Sequence, residues 1–213
     1  VSSFSPDKYK LPFFFSEIQN MKNTKLVRGV GFNDKTRPTS MNGKFTIEYG
    51  IWLNMLRRCY CQKYQAKQQT YAKCSVSENF KSYSFFYDWC HSQVGYGVAG
   101  FELDKDIIIR NNKQYSEDSC VFVPKEVNAF FNDCGLARGK YPLGVSFNKN
   151  EGRYTARCSV NGKLKHLGCF NCPDAAHAVY KKFKEELCKK TAEKWYCKID
   201  LRVYEALMTW KVT

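Results

Sequence analysis

The residues best suited to chemistry lie late in the chain, where Arg153, Thr155, Arg157 and Ser159 take every second position and Tyr154, Ala156, Cys158 and Val160 fill the gaps. A period of two places the first set on one face of a β-strand and the second set on the other. Arginine pairs bidentately with guanine, while hydroxyls and amides reach phosphates or base edges, so such a face suits duplex DNA. Any antiparallel sheet with one wet face shows the same alternation. Two arginines on one face, and 16 basic against 7 acidic residues from 135 to 213, favour the DNA reading. Arg57 and Arg58 are a second candidate. They fall near the C-terminal end of an expected helix, where they either bind phosphate or complement the helix dipole.

The cysteines carry a weaker signal. There are eleven, an odd count, and only Cys169 and Cys172 form a C-x-x-C pair; Cys59 and Cys61 stand one residue closer. A structural zinc site needs a second pair at matching spacing, so no zinc is assigned. The cysteines read as small buried hydrophobes that stay thiols in a reducing cytosol. His91, the only histidine before His166, sits at an expected helix end and reads as a helix-end residue rather than a catalytic one.

These side chains need elements to hold them. Tyr49, Trp52, Leu53, Leu56 and Tyr60 share one stripe of a helix expected over 47–61. Phe80, Tyr83, Phe86, Tyr87 and Cys90 share another over 79–91, with Asn79 as N-cap. From Phe101 the pattern turns to strands: Phe101 and Leu103 with Ile107, Ile108 and Ile109, a turn at Asn111 and Asn112, a return over 120–123, and a helix opened by Pro124 carrying Val127, Phe130 and Phe131. A glycine-bearing stretch over 134–140 reads as a boundary. Beyond it come a strand with Val145 and Phe147 facing in, the arginine strand, a tight Asn161-Gly162 turn and a third strand over 163–170. Pro173 then opens a helix whose Ala176, Val179, Tyr180, Phe183 and Leu187 form one apolar face. Lys165 shares parity with Leu167 on the third strand, so it points to the helix side and snorkels. The tail, with Val203, Tyr204, Leu207 and Trp210, reads as an amphipathic helix that docks on the body or on a second copy.

Length and composition set the frame. The 213 residues are room for one ordinary domain or two small ones. At 44% hydrophobic and 16% aromatic the chain is not a disordered tail. The apolar patch at 11–15 lacks the features of a signal peptide, and no run approaches the ~20 apolar residues of a membrane span. A formal charge of +14 attracts polyanions, nucleic acid first. The fold class is α+β, divided as an N-terminal arm (1–40), a helix and strand-turn-strand-helix domain (41–134), a sheet-on-helix domain (141–190) and a helical tail (191–213).

Two segments resemble known families. Tyr141-Pro-Leu-Gly-Val-Ser-Phe, Gly152-Arg-Tyr-Thr-Ala-Arg, His166-Leu-Gly-Cys-Phe and Ala175-Ala-His-Ala-Val-Tyr together resemble the APETALA-type, or ethylene-response-factor, DNA-binding domain in its short phage and homing-endonuclease form. The resemblance implies a sheet in the major groove and assigns DNA-facing positions to Ser146, Asn148, Arg153, Arg157, Ser159 and His166; Ser146 and Asn148 stand where the plant domains carry arginines. Tyr49-x-x-Trp52-x-x-Met55-x-x-Arg58-Cys59-Tyr60, the aromatic helix over 79–89, Leu103-Asp-Lys-Asp-Ile, Tyr115-Ser116 and the run from Cys120 to Asn128 are similar to phage-encoded HNH-type homing-endonuclease-like proteins. These often carry an APETALA-type domain behind the nuclease unit.

An HNH nuclease needs a histidine to activate water, an asparagine to hold its loop, and a last His or Asn on a divalent metal. Here Lys105, between Asp104 and Asp106, falls at the histidine position, Ser119 at the middle asparagine, and Asn128 alone is retained. The resemblance therefore implies a DNA-binding protein on a homing-endonuclease scaffold with lost or weak nuclease activity, cytoplasmic in a bacterial host and needing no cofactor to bind duplex DNA. Two alternatives stand beside it. One is an active metal-dependent endonuclease with Mg²⁺ on Asp104, Asp106 and Asn128, against which those carboxylates read as a charged turn around Lys105. The other is a protein that binds and modulates a host protein.

Overall fold

The computed structural model describes residues 25–131 and 140–212. The patch at 11–15, most of the expected arm and the expected boundary up to residue 139 lie outside the described residues. The chain is α+β. Its first elements are β1 (Ser40–Met41), β2 (Lys44–Phe45), α1 (Ile47–Tyr60), α2 (Gln62–Lys67), β3 (Ser75–Val76), α3 (Glu78–Lys81) and α4 (Tyr83–Ser92). There follow β4 (Phe101–Asp104), β5 (Gln114–Tyr115), β6 (Val121–Pro124), α5 (Lys125–Phe131), β7 (Val145–Asn148), β8 (Arg153–Val160), β9 (Lys163–Phe170), α6 (Pro173–Trp195) and α7 (Leu201–Thr209). Two compact units emerge: one runs to Trp89 and adds Gln114–Glu117, the other holds Cys90–Lys113 and everything from Asp118. This division departs from the segments expected at 41–134, 141–190 and 191–213. It cuts within α4 and groups β4, β6 and α5 with the later sheet and the tail.

In the first unit, α1 begins where Thr46 Oγ1 accepts the Tyr49 N–H at 3.3 Å, and Trp52, Met55, Leu56 and Cys59 bury its inner stripe. The single helix expected over 79–91 is two. Ser77, not Asn79, caps the first, its Oγ accepting the Phe80 N–H; the Asn79 amide donates to Glu117 instead. The break falls at Ser82 because Phe32 bridges there. The Phe32 N–H donates to Lys81 O at 2.8 Å and the Tyr83 N–H to Phe32 O at 2.9 Å, diverting backbone groups that a continuous helix would pair internally. The aromatic stripe is nonetheless core: Phe80, Tyr83 and Phe86 are fully buried, and Trp52 Nε1 donates to Phe80 O at 2.8 Å.

In the second unit, β4 and β6 pair antiparallel with Asp104 opposite Val121, and α5 follows directly. The strand expected at Ile107 to Ile109 does not form. Asp104 Oδ1 accepts the N–H groups of Asp106 and Ile107 at 2.7 and 2.9 Å, turning the chain so that Ile107 enters the core while Ile109 stays exposed. Pro124 ends β6 rather than opening α5.

The 23-residue α6 starts at Pro173 as its sequence predicts but runs to Trp195, well past residue 190. Its first half lies under β7, β8 and β9. Its second half delivers Cys188 and Ala192 to a cluster with Val121, Val123, Val127, Phe130, Val203 and Leu207. The tail helix α7, capped by Asp200, docks on this body, the first of its two expected partners. Among the described residues no helix is long and apolar enough to cross a membrane.

Gly144 sets the approach of the sheet to α6. Its φ is +77°, and a Cβ there would lie 2.1 Å from the Tyr180 ring. Both the backbone and the contact exclude a side chain. Gly144→Ala is expected to cost about 1–3 kcal/mol, read as an earlier unfolding midpoint in urea followed by circular dichroism.

Candidate nucleic-acid interface

The three strands β7, β8 and β9 form one antiparallel sheet in sequence order. Residues directly opposite in an antiparallel pair share a face. The register sets Ser146 opposite Thr155, Asn148 opposite Arg153, Arg157 opposite His166 and Ser159 opposite Leu164. All seven side chains expected to face DNA therefore lie on one face, turned away from α6. Ser146, Arg153, Arg157, Ser159 and His166 are exposed and Asn148 is half-buried, while Thr155 is 2% exposed among its neighbours. On the other face Ala156 and Cys158 are buried, and the Phe147 and Tyr154 rings pack tilted, their centres 5.0 Å apart. Lys165 points to that side and lies 4.8 Å from the centre of the Phe183 ring, the snorkelling that its parity predicts.

Strict alternation fails at one place. The pairing skips between Ala156 and Arg157, so that Ala156 faces Gly168 while Arg157 faces His166, and Leu167 is the extra residue of a bulge. Gly168, at φ +136°, supplies the backbone conformation the bulge needs. The consequence is that His166 and Cys169 emerge on the same open face, although their sequence spacing assigns them to opposite sides. Cys169 Sγ lies 3.9 Å from His166 Nε2, 3.7 Å from Thr155 Oγ1 and 3.7 Å from Glu151 Oε2. Arg153 Nη2 donates to the Cys169 carbonyl at 3.3 Å, which holds its guanidinium beside the sheet. Cys169 and Glu151 are thus members of this surface that alternation alone misses, and a glycine inside a strand is the signal that could have revealed the first; Leu164, two positions from His166, is a further member that alternation does place here.

Charge on this face is not neutralised by carboxylates among the described residues. Among the described residues neither Arg153 nor Arg157 makes an ion pair with Asp or Glu. Other surface cations do, as Arg37 does with Asp88 at 2.7 Å and Lys211 with Glu185 at 2.8 Å. The C-x-x-C pair does not converge: Cys169 faces the sheet's open side while Cys172 Sγ accepts the Ala175 N–H at the start of α6.

Arg57 and Arg58 have different fates. Arg57 is exposed and lies 4.8 Å from the centre of the Tyr64 ring, where it stays available to an anion. Arg58 turns inward, 5.1 Å from the Tyr71 ring centre, and its Nη1 donates to Tyr115 Oη at 3.4 Å. Its Nε is buried with no hydrogen-bond partner among the described residues. Burial raises the Tyr115 phenol above its ordinary value, so it remains neutral. Arg58 is a packing residue in an aromatic cage, and its expected phosphate contact is withdrawn.

At the strand-loop-strand-helix unit the expected catalytic residues are engaged with one another. Lys105, 5% exposed, pairs with Asp106 and donates to Asn112 O at 2.9 Å, while Asn112 Nδ2 donates back to Lys105 O at 2.8 Å. Burial raises the Asp104 carboxyl above its ordinary value, against the pull of its backbone hydrogen bonds. Ser119 is buried and Asn128 half-buried on α5. Among the described residues no group of three His, Cys, Asp or Glu side chains is arranged to hold a metal ion. The residues at the expected Mg²⁺ site fit a loop lock better than a metal seat, because Asp104 Oδ1 already accepts two N–H groups and Asp106 already faces an ammonium.

The contrast between the two arginines is measurable. Arg58→Ala is expected to lower stability by about 1–3 kcal/mol through the lost cage contacts and the lost hydrogen bond to the Tyr115 hydroxyl. Arg57→Ala should stay within about 0.5 kcal/mol of the parent in the same urea titration. No protein-family model, no curated protein and no solved structure matches this chain.

Proposed function

We propose that this chain binds double-stranded DNA through the open face of the β7–β8–β9 sheet, and that it does so without cutting it. The observation that carries the reading is the shared face itself: two arginines with no acidic partner among the described residues, beside Ser146, Asn148, Ser159 and His166, while Thr155, expected among them, is buried between its neighbours and does not reach an outside partner. A sheet or β-ribbon fits the major groove, where guanidinium groups meet guanine edges or phosphates and the smaller polar side chains take the remaining acceptors. The net charge of +14 supplies long-range attraction. Binding needs no metal, since every contact comes from the protein's own donors.

The nuclease half of the resemblance has no base to work with. The Lys105 ammonium is buried, paired with Asp106 and bonded to the Asn112 carbonyl. A protonated amine donates and cannot take a proton from water. The scaffold at β4, β6 and α5 is therefore read as retained for packing, with recognition kept by the sheet.

Fluorescence anisotropy of a labelled duplex across a salt series tests both parts. Affinity should fall steeply between 50 and 200 mM salt, and replacing Arg153 and Arg157 together by alanine should cost about 1–3 kcal/mol per arginine. Binding that ignores salt, or a double variant that binds like the parent, overturns the proposal. Supercoiled plasmid incubated with Mg²⁺ or Mn²⁺ should stay intact. Nicking that disappears with Asp104→Ala would restore the endonuclease reading.

A further inference from the structure

The pairing of β7 with β8 stops at Val145 opposite Ala156, whereas β8 and β9 continue to Val160 opposite Lys163. One further bond, from the Arg157 N–H to Gly144 O at 2.8 Å, ends the link to β7, and beyond it the far half of the hairpin is a two-stranded ribbon of β8 and β9. Its open side carries two cross-strand pairs, Arg157 with His166 and Ser159 with Leu164. Leu164 is 64% exposed, the one large aliphatic side chain that the register places on this otherwise polar face among the described residues.

Resting on the DNA-binding reading, we propose that Leu164 is a specificity residue that contacts the C5-methyl group of a thymine in the major groove, within about two base steps of a guanine read by Arg157. Of the groups that a major groove presents, the thymine methyl is the apolar one, and aliphatic side chains pair with it for that reason. Leucine offers nothing to a phosphate or to a base-edge donor or acceptor. Arg157 and Leu164 are diagonal neighbours across the ribbon, a separation of about 7–8 Å. Bases on one strand rise ~3.4 Å per step, so the two side chains address bases roughly two steps apart. His166, directly opposite Arg157, flanks the same guanine. Lys163 and Lys165 have the opposite parity and do not compete for this surface.

The test uses the full chain and the variant Leu164→Ser, whose exposed position leaves the core untouched; circular dichroism checks that both fold. Each protein selects duplexes from a randomised library, and the best parent duplex is then made with deoxyuridine in place of thymine, which removes only the methyl. The parent should select a guanine with a thymine within two positions, and bind the deoxyuridine duplex about fourfold more weakly, the worth of one buried methyl-sized group. Leu164→Ser should bind the two duplexes alike and lose the thymine from its selected sequence. Identical selected sequences for both proteins, or a parent indifferent to the methyl, overturn the role of Leu164 while leaving DNA binding in place. A library from which the parent enriches no duplex overturns the DNA-binding reading, and this inference with it.

Discussion

The arrangement of the second unit depends on one helix serving two apolar clusters. Along its first turns α6 presents Ala176, Tyr180 and Phe183 to the sheet, where Tyr180 and Cys158 pack with Val212. Along its last turns it presents Cys188 and Ala192 to β6, α5 and α7. A helix rises ~1.5 Å per residue, so the two clusters sit on a stiff rod of about 35 Å rather than on a linker. Val203 and Leu207 are fully buried against it, each contributing roughly 1.5–3 kcal/mol. Trp210 touches both clusters, standing near Phe130 and Phe131 as well as the sheet side. The Lys211–Glu185 pair and the Val212 N–H on the same carboxylate fasten the tail. A sheet braced in this way presents its side chains without first ordering a backbone, and the entropy of ordering is what weakens a flexible binding surface.

The polar groups of the molecule divide into those satisfied internally and those left to solvent, and the division separates the two expected sites. Around Asp104 to Asn112, the side chains of Asp104, Lys105, Asp106 and Asn112 all meet partners within the loop. Such closure is what a buried polar network requires in order not to cost stability. On the sheet the guanidinium groups of Arg153 and Arg157 have no acidic partner among the described residues. Holding unneutralised like charges on one surface is unfavourable for the isolated chain, if only weakly at solvent exposure. Internal closure suits a structural role and open charge suits a binding one, so the geometry ranks the sheet above the loop.

Much of this was legible in the sequence wherever a single local rule operates. Alternation fixes β8, the Asn161-Gly162 pair fixes the hairpin turn, with both residues at positive φ, and Pro173 fixes the start of α6. The break at Ser82 was not legible because its cause is Phe32, fifty residues away. The length of α6 was not legible because the helix changes partner midway, and its apolar face turns from the sheet to the β6 cluster without a punctuating residue. Arg58 failed for a similar reason: the rings that enclose it, Tyr71 and Tyr115, belong to other elements, and helix position alone makes it look like its neighbour Arg57.

The bulge at Gly168 is the most consequential of these departures, because it decides which face two functional groups occupy. Without it, Cys169 would follow Lys165 and Leu167 towards α6, and the open face would end at His166. With it, the face extends to Cys169 and Glu151 and acquires a local increase in twist, which bulges impose on the strands they interrupt. Two-stranded ribbons also twist more strongly than wider sheets. The part of the hairpin beyond β7 therefore combines both sources of twist, and it is the part that carries Arg157, Ser159, Leu164 and His166. A strongly twisted ribbon follows a helical groove better than a flat one. The sequence devices that end β7 early and kink β9 thus act together, concentrating curvature where the proposed base contacts lie.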